Sequence, residues 1–137
     1  MQVIIAGSRE IRWLSPVVRA IRESGFRVTT VVTGGARGVD KFAEKWAKHN
    51  GINLVVIEAN WTKYGLSAGM VRNKQMVDLL VGAPSPAGLI AVWDGVSTGT
   101  KDIIDYAKSK MLQVYVHRVY VEDFEFLETI AGDLRDY

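Results

Sequence analysis

Hydrophobic and polar positions along this chain alternate between short apolar runs and helical stripes from one end to the other. Residues 3–6 form the first run. A helix is expected next, opened by Ser15 as N-cap with Pro16 at the first helical position, where its missing N–H is no loss, and closed by Gly25. Residues 28–33 form the second run. Behind them Val39, Phe42, Ala43, Trp46 and Ala47 recur at i, i+3, i+4, i+7, i+8, one face of a helix that stops at Gly51. The third run covers 54–57. A loop carrying Trp61 and Tyr64 leads into a helix over 68–81, and the stretch GAPSPAG separates it from the fourth run, 89–93. Thr100, Ile103, Ile104 and Ala107 mark another helical face, 113–116 a fifth run, and Phe124, Leu127 and Ala131 a final helix.

Runs that are apolar throughout belong to strands covered on both faces, and strands separated by single helices require right-handed crossovers into a parallel sheet. The pattern predicts one α/β, Rossmann-like three-layer domain over residues 1–137, with a mostly parallel sheet of about five strands and helices on both faces. Such sheets bind ligands beyond the carboxyl ends of their strands, where the strand order reverses. The loops after strands one, two and four are therefore the expected site.

Composition narrows the chemistry. Lys and Arg number 17 against 15 Asp and Glu, a net charge of +2, so there is no strong field for a polyanion or an anionic membrane. With no cysteine, and with His49 and His117 on different elements, neither a disulfide framework nor a structural zinc site is expected, and no metal or cofactor is assigned. The start MQVIIAGSRE is charged too soon for a signal peptide, and no stretch reaches the roughly 20 apolar residues of a membrane span. A cytoplasmic protein is expected.

The three loops share one composition. GSRE follows strand one, with Gly7, Ser8 and Arg9; TGGARGVD follows strand two, with Gly34, Gly35, Ala36, Arg37, Gly38 and Asp40; DGVSTGT follows strand four, with Asp94, Gly95, Ser97, Thr98, Gly99 and Thr100. Glycine lets backbone amides come close to a ligand, a helix N-terminus adds unpaired N–H groups and positive potential, and hydroxyls add donors. This suits phosphate. Each loop alone is equally well explained as a tight strand-to-helix turn; three together favour a site. Neither the P-loop nor the G-x-G-x-x-G fingerprint is present, which argues against a kinase-like enzyme or a standard NAD dehydrogenase. Arg72 and Asn73 fall early on the helix over 68–81, within reach of the site. Trp61 and Tyr64 are placed either in the core, the preferred reading, or over a bound base. Asp40 is expected to cap the amides of its own helix, and Trp13, Trp46 and Trp93 to pack in the core or an interface.

Four ordered motifs, IIAGSR, VVTGGARGVDKFAEKWA, the W-x-x-Y-G-x-x-A-G-x-x-R-N-x-x-M spacing from Trp61 to Met76, and DGVSTGTKDIIDYA, resemble the SLOG superfamily, most closely its YspA-like branch of bacteria and phages. That superfamily joins the DNA-processing protein A family with the Lonely Guy phosphoribohydrolases on a Rossmann-like nucleotide-binding domain. GGARGVD is similar to the S-G-x-A-x-G-I-D turn of the DNA-processing branch, and GMVRNKQM to the M-x-x-R-K-x-x-M segment of the Lonely Guy enzymes. The resemblance places Arg72 at an arginine implicated in catalysis, with Asn73 standing for a lysine. In VSTGTKDI the P-G-G-x-G-T-x-x-E pattern keeps Gly99 and Thr100, but its catalytic glutamate is Ile103, and Asp102 lies one residue early, about 100° round the helix.

The resemblance implies a nucleotide or nucleotide-derived ligand, sensed or acted on, its phosphates held by the glycine loops and neutralised by Arg37 and Arg72. A phosphoribohydrolase using Arg72 with Asp94 or Asp102 is the second reading. Single-stranded DNA binding, as in the DNA-processing branch, is the third, and the +2 charge argues against it. Self-association is expected through a last helix with Phe124, Phe126 and Leu127 to spare.

Overall fold

The computed structural model describes residues 1–135, with side chains described as far as 130; the Ala131 position of the last helical stripe lies outside the described side chains. Five strands form one all-parallel sheet: β1 (Gln2–Gly7), β2 (Thr30–Thr33), β3 (Asn53–Val56), β4 (Ala87–Trp93) and β5 (Gln113–Arg118), in the order β3-β2-β1-β4-β5. The helices are α1 (Leu14–Ser24), α2 (Val39–His49), the short α3 (Trp61–Tyr64), α4 (Ala68–Val81), α5 (Thr98–Ser109) and α6 (Val121–Arg135), with a 3₁₀ turn at Gly65–Ser67. The chain winds outward from β1 to β3, then crosses to β4 on the other side of β1. That reversal opens a crevice between the ends of β1 and β4.

The two faces of the sheet carry separate cores. Val3, Ile5, Val31, Ile90 and Val92 meet α1 and α2 on one side, joined by Val121 and Phe124 of α6; Ile4, Val32, Leu89 and Ala91 meet Met76, Val77 and Leu80 of α4 and Ile103, Ile104 and Ala107 of α5 on the other. Side chains alternate across each strand, so successive residues feed opposite cores. The three-layer Rossmann-like architecture follows the hydrophobic pattern. Among the described residues no helix is long and apolar enough to cross a membrane.

Three details differ from the sequence reading. Helix α1 begins at Leu14 behind an extended Trp13 that makes no side-chain cap, so Pro16 is the third helical residue and Ser15 is not the N-cap. Proline is tolerated there because first-turn amides have no partner inside the helix. Trp13 instead stacks on Phe124, ring centroids 4.8 Å apart. The second difference is coverage: β1, β2 and β4 are buried, but the edge strand β3 leaves Val55 and Val56 exposed. The chain leaves β3 through the short α3, and α4 packs across β1 and β4, so no helix covers the face of β3 that Val55 shares with Val32, while Val56 ends the strand on the opposite, α2 face. Third, of the last helix's apolar residues Phe124 is used in packing, while Phe126 and Leu127 stay exposed.

Candidate functional site

Above the β1–β4 reversal lies an open cavity of about 720 Å³. The loop after β1 contributes Gly7, Arg9 and Glu10, the turn after β2 Ala36 and Asp40, and the start of α5 the run Ser97 to Thr100 with Asp94 and Asp102. Helix α4 supplies Arg72 and Asn73 as one wall. Leu66, Met70 and Val96 stand exposed at the mouth. A second cavity of about 480 Å³ adjoins it above β2 and β3, sharing Arg9, Ala36 and Arg72, and is completed by Gly34, Gly35, Arg37, Glu58, Ala59 and Trp61.

Three of the expected contact residues serve the scaffold and line neither cavity. Ser8 is fully buried; its carbonyl accepts from Ile11 and Val39, and its Oγ accepts from the Asp94 amide at 3.1 Å. It thereby stitches the loop after β1 to the start of α2 and the end of β4. Gly38, at φ 78°, packs so closely that a Cβ there would stand 2.6 Å from the Ser8 carbonyl oxygen. Gly95 fits against the Arg118 guanidinium, which also lies over Tyr120, 4.3 Å from the ring centroid.

Arg72 differs most from a mobile phosphate ligand. It is only 9% exposed, donates from Nη1 to the Gly34 carbonyl at 2.6 Å, and donates from Nε to Asn73 Oδ1 at 3.2 Å. Burial lowers its pKa, opposed by the charge of Asp40. A Cβ on Gly34 would overlap this guanidinium, so the close approach allowed by Gly34 is to Arg72. Asn73 passes the link on, donating to the Gly99 carbonyl at 3.2 Å and towards Asp102 at 3.4 Å. Ile103, at the position of the family's glutamate, lines the same cavity as Asp102 but is 1% exposed and packs in the core, so that the cavity meets an apolar side chain there. Arg37 is exposed and pairs with Glu10 at 2.9 Å.

Asp40 does not cap its own helix. Its Oδ2 accepts from the Ala36 amide at 3.1 Å and closes the turn beneath Arg72. Burial pushes its pKa up to about 6, against the lowering effects of the Ala36 bond and Arg72. Because the folded value lies above the unfolded one, stability from this group is complete below about pH 4 and is lost as the pH rises through about 6. Chemical denaturation is therefore expected to show the protein more stable at pH 5 than at pH 7.5 by about 1–2 kcal/mol. Asp40→Asn should flatten that slope; an unchanged slope in the variant would assign it elsewhere.

At Asp94, burial acts to raise the pKa, but hydrogen bonds from the Ser97 and Val96 amides and the Ser8 side chain outweigh it and hold the carboxyl below its ordinary range. Its Oδ1 accepts from Val96 and Ser97 at 2.9 and 2.8 Å, clamping the entry to α5. Ser97 then caps the helix, accepting from the Thr100 amide. Thr98 and Gly99 occupy the first turn, where amides have no acceptor within the helix. A Cβ on Gly99 would meet nothing within 4 Å.

Trp61 is half exposed and not in the core, with the Arg9 guanidinium 5.9 Å from its ring centroid; Tyr64 is partly buried. Trp46 and Trp93 pack against the two cores. His117, for which the sequence offers no partner, lies 3.1 Å from Glu23, which also accepts from Tyr115. Glu10 and Glu58 were not expected at the site. Glu10 lies three residues beyond β1 and Glu58 two beyond β3, a signal that a search for glycine and hydroxyls passes over.

A model of the family described as YAcAr: YspA, cpYpsA-related SLOG family matches residues 1–64. The Gene 61 protein of Mycobacterium phage D29 is 36% identical over 84 residues, covering 56% of this chain and 67% of the phage protein. The crystal structure of a predicted subunit of tRNA methyltransferase from Methanocaldococcus jannaschii aligns over 88% of this chain and 69% of its own, with 19% identity and a TM-score of 0.40.

Proposed function

Since the chain belongs to the YspA, cpYpsA-related SLOG family, we propose that it is a single cytoplasmic domain that binds a nucleotide-type small molecule in the crevice between β1 and β4. The observation that carries this reading is the first turn of α5. Thr98 and Gly99, whose amides have no acceptor within the helix, line a cavity of about 720 Å³ that Arg9 also lines, a size that suits a small-molecule ligand. Amides at a helix N-terminus, the Thr98 hydroxyl and one exposed guanidinium make a phosphate site without a P-loop. Arg72 and Asp40 hold the neighbouring turn in shape. The exposed Phe126 and Leu127 of α6 provide the apolar surface that self-association requires.

One arrangement favours hydrolysis as a second reading: Asp94 and Asp102 line the same cavity, and Asp94 is held ionised. Release of free base from nucleoside monophosphates is its direct assay. Absence of turnover for a nucleotide that binds leaves the sensor.

Thermal-shift screening against nucleoside monophosphates, ADP-ribose, cyclic nucleotides and inorganic phosphate tests the proposal. A ligand at 100 times its Kd adds about 2.7 kcal/mol of stability. Gly99→Ala is the discriminating variant. With open space around its Cβ it should melt no lower than the parent, yet bind phosphate-bearing ligands about tenfold more weakly by crowding the helix N-terminus. Unchanged affinity would remove the phosphate from α5. Tight single-stranded DNA binding with a steep salt slope would replace the small-molecule reading.

A further inference from the structure

The second cavity holds a chemistry that phosphate binding does not use. Glu58 follows β3 and sits beside Gly35, where a Cβ would lie 3.2 Å from Glu58 Cγ. Among the described residues no hydrogen bond or ion pair engages its carboxylate. Trp61 lines the same cavity with half its surface open, and Arg37 and Arg9 line it as well, the former using one amino group on Glu10. An acceptor without a donor, an aromatic face and spare guanidinium donors are thus grouped in about 480 Å³, room enough for a bicyclic base.

Topology sets the distance. This cavity stands over β2 and β3 and the phosphate crevice over β1 and β4, two strand spacings away, about 10 Å. That is the reach from phosphate to base edge in an extended nucleotide, and the shared lining of Arg9, Ala36 and Arg72 sets the two cavities side by side. Resting on the nucleotide reading above, we propose that the second cavity is a base pocket selective for guanine. Guanine offers N1–H and the N2 amino group side by side, two donors for one carboxylate, while its O6 accepts from Arg37. Adenine presents only its N6 amino group as a donor, beside an N1 lone pair that repels Glu58. Stacking on Trp61 serves either purine, so the discrimination comes from Glu58.

Isothermal titration with GMP, AMP and ribose 5-phosphate tests this. GMP is expected to bind about tenfold or more tighter than AMP, the discrimination typical of a bidentate base contact. Glu58→Gln, at an exposed position that leaves the fold intact, should bring GMP to the AMP level and leave ribose 5-phosphate unchanged. Trp61→Ala should weaken both nucleotides. AMP binding as tightly as GMP, or a preference for GMP that survives Glu58→Gln, would overturn the guanine pocket while leaving the nucleotide site standing. No binding of either nucleotide or of the sugar phosphate would overturn the nucleotide site and the pocket with it.

Discussion

Arg72→Ala is expected to lower the stability of the protein by about 3–5 kcal/mol, the summed cost of leaving two buried acceptors without their donor, at about 1–3 kcal/mol each, and of taking a favourable charge away from Asp40. The change strips the Gly34 carbonyl of its donor, frees Asn73, and leaves the Asp40 carboxylate buried without its opposite charge. For a chain of this length that corresponds to a fall in Tm of about 10–20 °C. Arg72→Lys should recover little, because a point charge cannot bridge Gly34 and Asn73 at once. The loss should shrink at pH 5, where Asp40 takes up a proton and no longer needs a cation. A loss below about 0.5 kcal/mol would mean that the arginine behaves as a surface charge. Lost ligand binding in Arg72→Ala is therefore no evidence of direct contact unless the folded fraction is measured on the same sample.

Gly38→Ala carries the second large effect, about 2–4 kcal/mol, from a backbone conformation that suits glycine alone and from close contact. Its φ of 78° is strained for any L side chain, and its Cβ would press on the backbone of Ser8 and Arg9 at 2.6–2.8 Å. Gly25 has a similar φ of 69° but, with ψ 4° against −130° at Gly38, lies in the left-handed helical region that other residues can enter, and a Cβ there meets nothing within 4 Å, so Gly25→Ala should cost only about 1 kcal/mol. Equal losses at the two positions in urea denaturation would mean that neither the backbone conformation at Gly38 nor its contact with the loop after β1 adds anything. This pair also bears on Gly35, whose φ of 72° and closeness to Val56 mix strain with any ligand effect.

The fold was legible because its signals are local. Apolar runs and 3.6-residue stripes are written into consecutive residues, and the helix over Ala68–Val81 and the Gly25 stop come out where the pattern puts them. The site was legible to the level of loops. Which side chains face the cavity is decided by packing between segments far apart in sequence. Ser8 reads as a ligand donor but is consumed in stitching three loops together. Arg72 reads as a ligand cation, yet its acceptor lies 38 residues earlier. The core placement preferred for Trp61 failed because the long link after β3 leaves it on the surface, and Glu58 was passed over because a lone glutamate carries no motif.

The bond from Arg72 to Gly34 also bears on what can be inherited or transplanted as a unit. The stretch that carries the family signature, residues 1–64, holds the whole of the turn after β2 but not the arginine that props it. It also ends before β4, which pairs with β1 along all six residues of that strand. Moved alone into another protein, it would bring an unsupported loop and a central strand with one side bare. The smallest exchangeable piece of this molecule therefore runs at least to the end of β4, and a chimera joined at residue 64 must find in its new host both an arginine and a strand.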